Sequence, residues 1–289
     1  MFTSKIFNNL KTCNHFFKKN MSSNNGLSLE RVVKSLNDYA DLSLAGSWDN
    51  VGLLIQPTVQ KNIKNILLTN DLTENVMKEA VDFDTDLIIS YHPPIFSPLK
   101  RITNNSWKER IVAKCLENKI ALYSPHTSFD SIKGGVNDWL ANAFDIKTSE
   151  PIERSTSNPE NGMGRICTIN GSLTPEEAVE LVKKRVNLKH VRLALAQPSG
   201  KMINTVAVCA GSGASVLKNI DADLFVTGEM LHHDILDAVH KGTTVILTNH
   251  SDSERGFLTE FSKILKTTLD NDSINIIVSK TDVDPLITV

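Results

Sequence analysis

No two of the four cysteines, Cys13, Cys115, Cys167 and Cys209, stand close enough to form a C-x-x-C pair. Their scatter excludes a zinc ribbon, argues against a disulfide framework and suits a reducing compartment. No apolar run approaches the roughly 18 residues that a membrane helix needs, so no membrane-spanning segment is expected. Strong net charge is missing too: 31 Lys and Arg against 33 Asp and Glu leave −2 at pH 7. Such a chain has no global field to draw it onto nucleic acid or anionic lipid, and no basic stripe interleaved with aromatics makes up for it. What remains is 289 residues, 40% hydrophobic and 22% charged, an ordinary composition for a soluble globular protein. It is long enough for one large core or two modest ones.

Acidic residues are absent from the start of the chain, where none precedes Glu30 while Lys5, Lys11, Lys18 and Lys19 occur. Phe2, Ile6, Leu10, Cys13 and Phe17 fall on one helical face. Residues 1–26 therefore read either as a mitochondrial presequence, although arginine is missing, or as a disordered extension. Met21 would serve as an internal start for an untargeted form. The expected locations are the cytoplasm, the mitochondrion or both.

From Leu27 the periodicity becomes globular. Leu29, Val32, Val33, Leu36 and Tyr39 give a helix capped by Ser28. Apolar strands follow at Leu53–Gln56, Ile63–Leu68, Asp86–Ser90 and Ile120–Tyr123, with helical patterns between most of them. Residues 149–163, rich in Pro, Asn and Gly, read as a linker or insertion point between an N-terminal half (27–148) and a C-terminal half (164–289). The second half repeats the rhythm, with strands at Arg165–Asn170, Val191–Ala196, Val206–Ala210, Leu224–Thr227, Thr243–Thr248 and Ile274–Val278. Between the first two of these, Thr174-Pro175-Glu176-Glu177 is a capping box with proline at the first helical position. Alternating strands and helices mean an α/β fold with mixed, mainly parallel sheets in two similar halves.

Potential ligands cluster at three strand ends: His92 after Ser90, His126 and Asp130 after Tyr123, and His250 with Glu254 after Thr248. Parallel strands would open these ends on one rim, where α/β sheets bind ligands. In a helical first turn His250 and Glu254, four apart, would face the same way; the plain alternative is that Ser251 or Asp252 merely caps the helix. Two or three imidazoles with two carboxylates suit zinc, iron, manganese, nickel or cobalt rather than calcium or magnesium. Gly211-Ser212-Gly213 follows a strand and opens a helix, so its amides could cradle a phosphate. Asp71 reads first as the cap of the helix at Thr73–Val81, with proton transfer as the alternative. Glu229, His232 and His233 would contribute to a substrate rim or a subunit contact.

Together Trp48-Asp49-Asn50-Val51-Gly52, Thr69-Asn70-Asp71, Ser90-Tyr91-His92-Pro93-Pro94-Ile95-Phe96, Ser124-Pro125-His126-Thr127-Ser128-Phe129-Asp130, Cys209-Ala210-Gly211-Ser212-Gly213, Thr227-Gly228-Glu229 with His232-His233, and His250 with Glu254-Arg255-Gly256 resemble the NIF-three-like family. Some of its members carry the name type-two GTP cyclohydrolase I, and this chain is similar to the shorter form without a middle domain. The resemblance implies a three-layer α/β/α protein whose halves enclose a cleft with two divalent metals, assembled as a toroidal homohexamer. It implies His92, Asp130, His250 and Glu254 as ligands, Glu254 as a bridge, and His126 as ligand or neighbour; at such a site Glu254, Asp71 or Glu229 could shuttle protons. One departure stands out: the bacterial pattern has two adjacent histidines where this chain has Tyr91-His92. Tyrosine, with a pKa of ~10, is a poor neutral-pH ligand, so one of the two metal subsites would be weakened, lost or altered to phenolate ligation, and Tyr91 could instead stand on the substrate rim. Two functions follow. One is metal-dependent hydrolase chemistry on a nucleotide or related heterocycle. The other is a regulatory, transcription-related scaffold with a structural metal, which would add the nucleus to the expected locations.

Overall fold

The computed structural model describes residues 26–59 and 61–288; the extension expected over residues 1–26 lies, but for Gly26, outside the described residues. The first sheet is built from β1 (Gly52–Ile55), β2 (Asn65–Thr69), β3 (Leu87–Ser90) and β4 (Ala121–Ser124), with α1 (Leu29–Tyr39) before it. Between the strands run α2 (Glu74–Asp82) and α3 (Trp107–Glu117), and after β4 come the short α4 (Thr127–Ser131) and α5 (Val136–Ala141). The second sheet takes β5 (Ile146–Arg154), β6 (Gly162–Leu173), β7 (Arg192–Ala194), β8 (Ile203–Cys209), β9 (Leu224–Thr227) and β10 (Thr244–Leu247). Its helices are α6 (Pro175–Val186), α7 (Ala214–Leu217) and α8 (His232–His240); α9 (Phe257–Leu269) and β11 (Asn275–Val278) end the chain.

The central strands are buried at every position of β3, β4, β9 and β10, as near-continuous apolar runs in a sheet covered on both faces must be. Period-two geometry divides each strand between two layers. Ile66, Leu68, Leu87, Ile89, Ala121 and Tyr123 point to an inner core shared with the second sheet, while Leu67, Ile88 and Leu122 pack outward against Val76 and Met77 of α2 and Ile111 and Cys115 of α3. In the second sheet Val206, Val208, Leu224, Val226 and Ile246 join the same inner core, and Ala207, Phe225 and Val245 face an outer layer with Leu217 and Ala238. Side chains of α1, α5, α6 and α9 fill the space between the sheets. Each sheet thus sits between helices, the α/β/α arrangement.

The strand order is β1-β4-β3-β2-β11 in one sheet and β5-β6-β8-β9-β10-β7 in the other. β11 pairs in parallel with β2, and α9 packs on α1 and β2. The chain's last strand, placed by sequence pattern in a half beginning at residue 164, therefore returns to the first sheet. Residues 149–154, read as part of a linker, lie in β5, which pairs antiparallel with β6 through Pro151↔Arg165. A proline is tolerated there because β5 is an edge strand. The polar residues 155–161 form the connecting turn. The capping box at Thr174 and Glu177 is present in both directions. Among the described residues no helix is long and apolar enough to cross a membrane.

Candidate metal centre

The carboxyl ends of β2, β3 and β4 and those of β8, β9 and β10 meet across the gap between the sheets. Backbone bonds stitch the loops together: Tyr91 N–H to Thr69 O, 2.8 Å; His92 N–H to Asn70 O, 2.9 Å; His126 N–H to Tyr91 O, 3.1 Å; Glu229 N–H to Gly211 O, 3.0 Å. After β10 the chain makes a 3-10 turn (Ser251–Ser253), and α9 starts only at Phe257. The expected α-helical spacing of His250 and Glu254 is absent, yet the tight turn still brings them side by side.

His92, His250 and Glu254 form a group that could hold a metal ion, one donor atom from each lying within 4.8 Å of the others. His92 Nε2 is 3.4 Å from Glu254 Oε2, and His250 Nε2 is 3.5 Å from Glu254 Oε1. These separations are long for hydrogen bonds, and each imidazole faces a different oxygen of the one carboxylate. The far nitrogen of each ring is also held: His92 Nδ1 is 2.9 Å from Asp71 Oδ1, and His250 Nδ1 is 2.8 Å from Glu229 Oε1. A carboxylate on Nδ1 fixes the tautomer that presents Nε2 to a cation, the usual arrangement around metal-bound histidine. Glu254 is nearly fully buried, and Asn70 Nδ2 donates to its Oε2 at 3.1 Å. Gly211, at φ +64°, is what lets Glu254 approach: a Cβ there would lie 2.6 Å from Glu254 Oε1 and 3.2 Å from His250 Nε2.

The remaining expected ligands stand apart from this group. Asp130 is buried, and its Oδ1 accepts a short hydrogen bond from the Tyr91 hydroxyl. Burial above all, then the charge of Glu254, pushes the Asp130 carboxyl up to about 7. Burial, then Asp130 and Glu254, raises the Tyr91 phenol well above its ordinary value. Without a cation Tyr91 is thus a neutral donor, buried inside the protein and not among the residues that line the cleft. His126 lies with its ring 5.3 Å from that of His92, and its Nδ1 is 2.6 Å from Asp49 Oδ1. Burial opposes the charge on Asp49, but hydrogen bonds from His126 and Thr127 outweigh it and keep the carboxyl below its usual value. His126 adopts φ 38°, a sparsely populated conformation for a residue with a side chain.

Asp71 faces the cleft and holds His92; the cap of α2 is Thr73, whose Oγ1 accepts from Val76 N–H at 3.3 Å. The capping reading of Asp71 is corrected because that position falls two residues later. The glycine turn does not offer a free cradle: Gly211 N–H donates to Ser253 Oγ at 2.7 Å and Gly213 N–H to Thr227 Oγ1 at 3.1 Å. Ser212 opens onto a separate depression with Ser215 and Lys218. His232 and His233 are exposed on α8, with rings 5.3 Å apart, and do not line the metal-side cleft. That cleft, about 680 Å³, is walled by Asp71, His92, Trp107, Arg192, Glu229 and His250 among others. Sequence reading gave no role to Asn70, Asp49 or Ser253. Asn70 could have been noticed from its place at a strand end beside Asp71.

Burial would lower the pKa of His92, but Glu254 and then Asp71 outweigh it and hold the group up at about 10 without a cation. A cation at Nε2 must displace that proton. Affinity for Zn²⁺ should therefore rise about tenfold per pH unit over roughly pH 6–9, with one proton released per ion, which titrations in buffers of different ionisation heat would measure. A flat profile would contradict this assignment of His92. In the metal-free protein the same raised value gives stability that is full below the unfolded pKa of about 6.5 and is lost as pH climbs through about 10.

Comparison with known proteins gives a consistent result. A family model described as Duf34/NIF3 (NGG1p interacting factor 3) matches residues 27–285. "NIF3-like protein 1" of Drosophila melanogaster is 52% identical over 273 residues, covering 94% of this chain and 92% of the relative. "NGG1-interacting factor 3" of Saccharomyces cerevisiae is 38% identical over 279 residues, covering 89% and 96%. The crystal structure of a Bacillus cereus protein related to NIF3 superposes with a TM-score of 0.81 at 22% identity, over 91% of this chain and 99% of that one, a likeness of fold.

Proposed function

Because the chain belongs to the Duf34/NIF3 (NGG1p interacting factor 3) family, we propose that it holds one divalent transition-metal ion on His92, His250 and Glu254 and uses it for hydrolase-type chemistry. The observation that carries this reading is the pairing of both imidazoles, Nε2 toward one buried carboxylate and Nδ1 on another. Two borderline nitrogens and one oxygen suit zinc, iron, manganese, nickel or cobalt. The Gly211 contact supports the fit, since it leaves no room for a side chain where the donors converge. A second ion is less well provided for, because the hydrogen bond from Tyr91 occupies Asp130.

A bound cation would supply Lewis acidity, polarising a substrate oxygen and acidifying water near neutral pH. The protein's own contribution is orientation. Asp71 and Glu229 hold the rings, and Asn70 holds Glu254. His126, with Nδ1 tied to Asp49, stands with its ring 5.3 Å from that of His92 and buttresses it. A cleft of about 680 Å³ with Trp107 on its wall and Arg192 at its edge suits a planar, polar molecule such as a nucleotide or related heterocycle.

Metal analysis tests the ion count. Protein purified without added metal should carry one ion per chain, and Tyr91→His, which frees Asp130 and adds an imidazole, should carry two. Two ions in the wild type would overturn the single-ion reading. The hydrolase reading predicts turnover of one member of a nucleotide and heterocycle panel, abolished by chelation and restored by metal. If chelation instead disperses an assembly while no substrate turns over, the metal is a structural staple. That outcome would favour a partner-binding scaffold, a reading supported by the yeast relative's name, NGG1-interacting factor 3.

A further inference from the structure

Residues 279–284 supply no donor to the metal group, yet they are fastened to its supports. Ser279 Oγ donates to Glu79 Oε2 at 2.6 Å and Lys280 N–H to Glu79 Oε1 at 2.9 Å, which pins the segment to α2. Beyond that anchor Asp282, nearly fully buried, reaches under the site. Its Oδ2 accepts the backbone N–H of Asn70 at 2.6 Å, and its Oδ1 pairs with the Arg255 guanidinium. Asn70 is the residue whose Nδ2 holds Glu254 Oε2, and Arg255 is the next residue after Glu254. One carboxylate, 212 positions from Asn70 in the chain, thus closes a ring through Asn70, Glu254 and Arg255. Asp284 adds a second tie, its Oδ2 accepting from Ser251 Oγ at 2.7 Å, while Ser251 Oγ accepts from Arg255 Nη2 at 2.6 Å.

We infer that Asp282 is a positioning residue of the metal site, acting through Asn70 and Arg255 to keep the Glu254 carboxylate aimed between His92 and His250. The inference rests on the metal reading above. Glutamate has several rotatable bonds, and freezing them before the ion arrives is what a rigid support contributes to affinity. Asn70 by itself could not do this, since its own backbone ends a strand in a loop. The grip of Asp282 on its N–H fixes where the side-chain amide sits. Val283, Pro285 and Leu286 follow directly and wall the cleft, so the same segment that aims the ligand also shapes the space beside it.

The test titrates metal-free full-length protein with Co²⁺, reading affinity and the visible absorption band, for wild type, Asp282→Ala, Asn70→Ala and the double variant. Loss of an outer support of this kind costs about 10–100-fold in metal affinity. Each single variant should lose that much and shift the band, and the double variant should be no worse than the weaker-binding single. A double variant whose loss is the product of the two singles would overturn the inference, because independent effects mean that Asp282 does not act through Asn70. Should Asp282→Ala fail to fold, Asp282→Asn, which keeps an acceptor for the Asn70 N–H but not the Arg255 ion pair, becomes the readout, with an intermediate loss expected. A folded Asp282 variant that binds Co²⁺ like wild type also overturns it. Wild type that binds no Co²⁺ removes the premise, and is distinguishable because every variant then matches it at zero.

Discussion

Glu254→Gln should abolish metal binding while leaving the fold intact. Glutamine has the same shape and can still accept from Asn70 Nδ2, so packing at this buried position is preserved. What disappears is the charge that both imidazoles face. Replacing even an outer partner costs about 10–100-fold in metal affinity, so losing the carboxylate itself should cost more than about 100-fold. The electrostatics make a second, separable forecast. Glu254 is the chief group holding His92 up at about 10 and, after burial, helps push Asp130 up to about 7. In the variant both values should fall, and NMR titration of His92 would follow the change directly. The removed charge repels Asp130 but attracts the charged His92, so the metal-free variant should stay folded yet give up, near neutral pH, much of the stability that the raised His92 value supplies. Retained Zn²⁺ affinity, or unfolding in the absence of any metal, would count against a ligand role.

Gly211→Ala is the second large effect, and it separates backbone strain from the site's geometry. A Cβ at Gly211 would lie 2.6 Å from Glu254 Oε1 and 3.2 Å from His250 Nε2. Neither neighbour can yield without spoiling the donor set, since Glu254 is pinned by Asn70 and His250 by Glu229. Gly211 also sits at φ +64°, where alanine costs ~1–2 kcal/mol. Gly134 is the control: it has φ +78° and nothing within 4 Å of the added atom. Gly134→Ala should lose about 1–2 kcal/mol of stability in chemical denaturation, and Gly211→Ala at least that much, since its overlap adds to the backbone cost. Only Gly211→Ala should also lose metal affinity, by tenfold or more on the scale of other support losses. Equal metal affinity in the two variants would show that the close approach does not matter.

The strand ends that carry His92, His126 and His250 were legible because parallel, fully buried strands are short apolar runs with abrupt polar ends. The sequence also named every member of the three-residue group. It gave the wrong local geometry at His250 and Glu254, where a 3-10 turn replaces the expected helix start but keeps the two side chains adjacent. Supports were harder to read. Asp71 looked like a helix cap because Asp before a helical run usually is one, and only the position of Thr73 shows otherwise. The turn at Gly211 suggested a phosphate cradle, but its amides are consumed by Ser253 and Thr227, partners 42 and 14 positions away. Breaker-rich residues near Pro151 resembled a linker because an edge strand tolerates the same residues. Asp282 had no local signature at all: its partners are Asn70 and Arg255, and the return of β11 to the first sheet brings it there.

Anomalous diffraction from crystals of the zinc-loaded protein, recorded at the zinc edge, tests the convergence of the three donors most directly. The expected map has a single strong peak per chain, about 2.0–2.2 Å from His92 Nε2, His250 Nε2 and a Glu254 oxygen. A loaded crystal with no peak there, or with its zinc held by other side chains, would contradict the account.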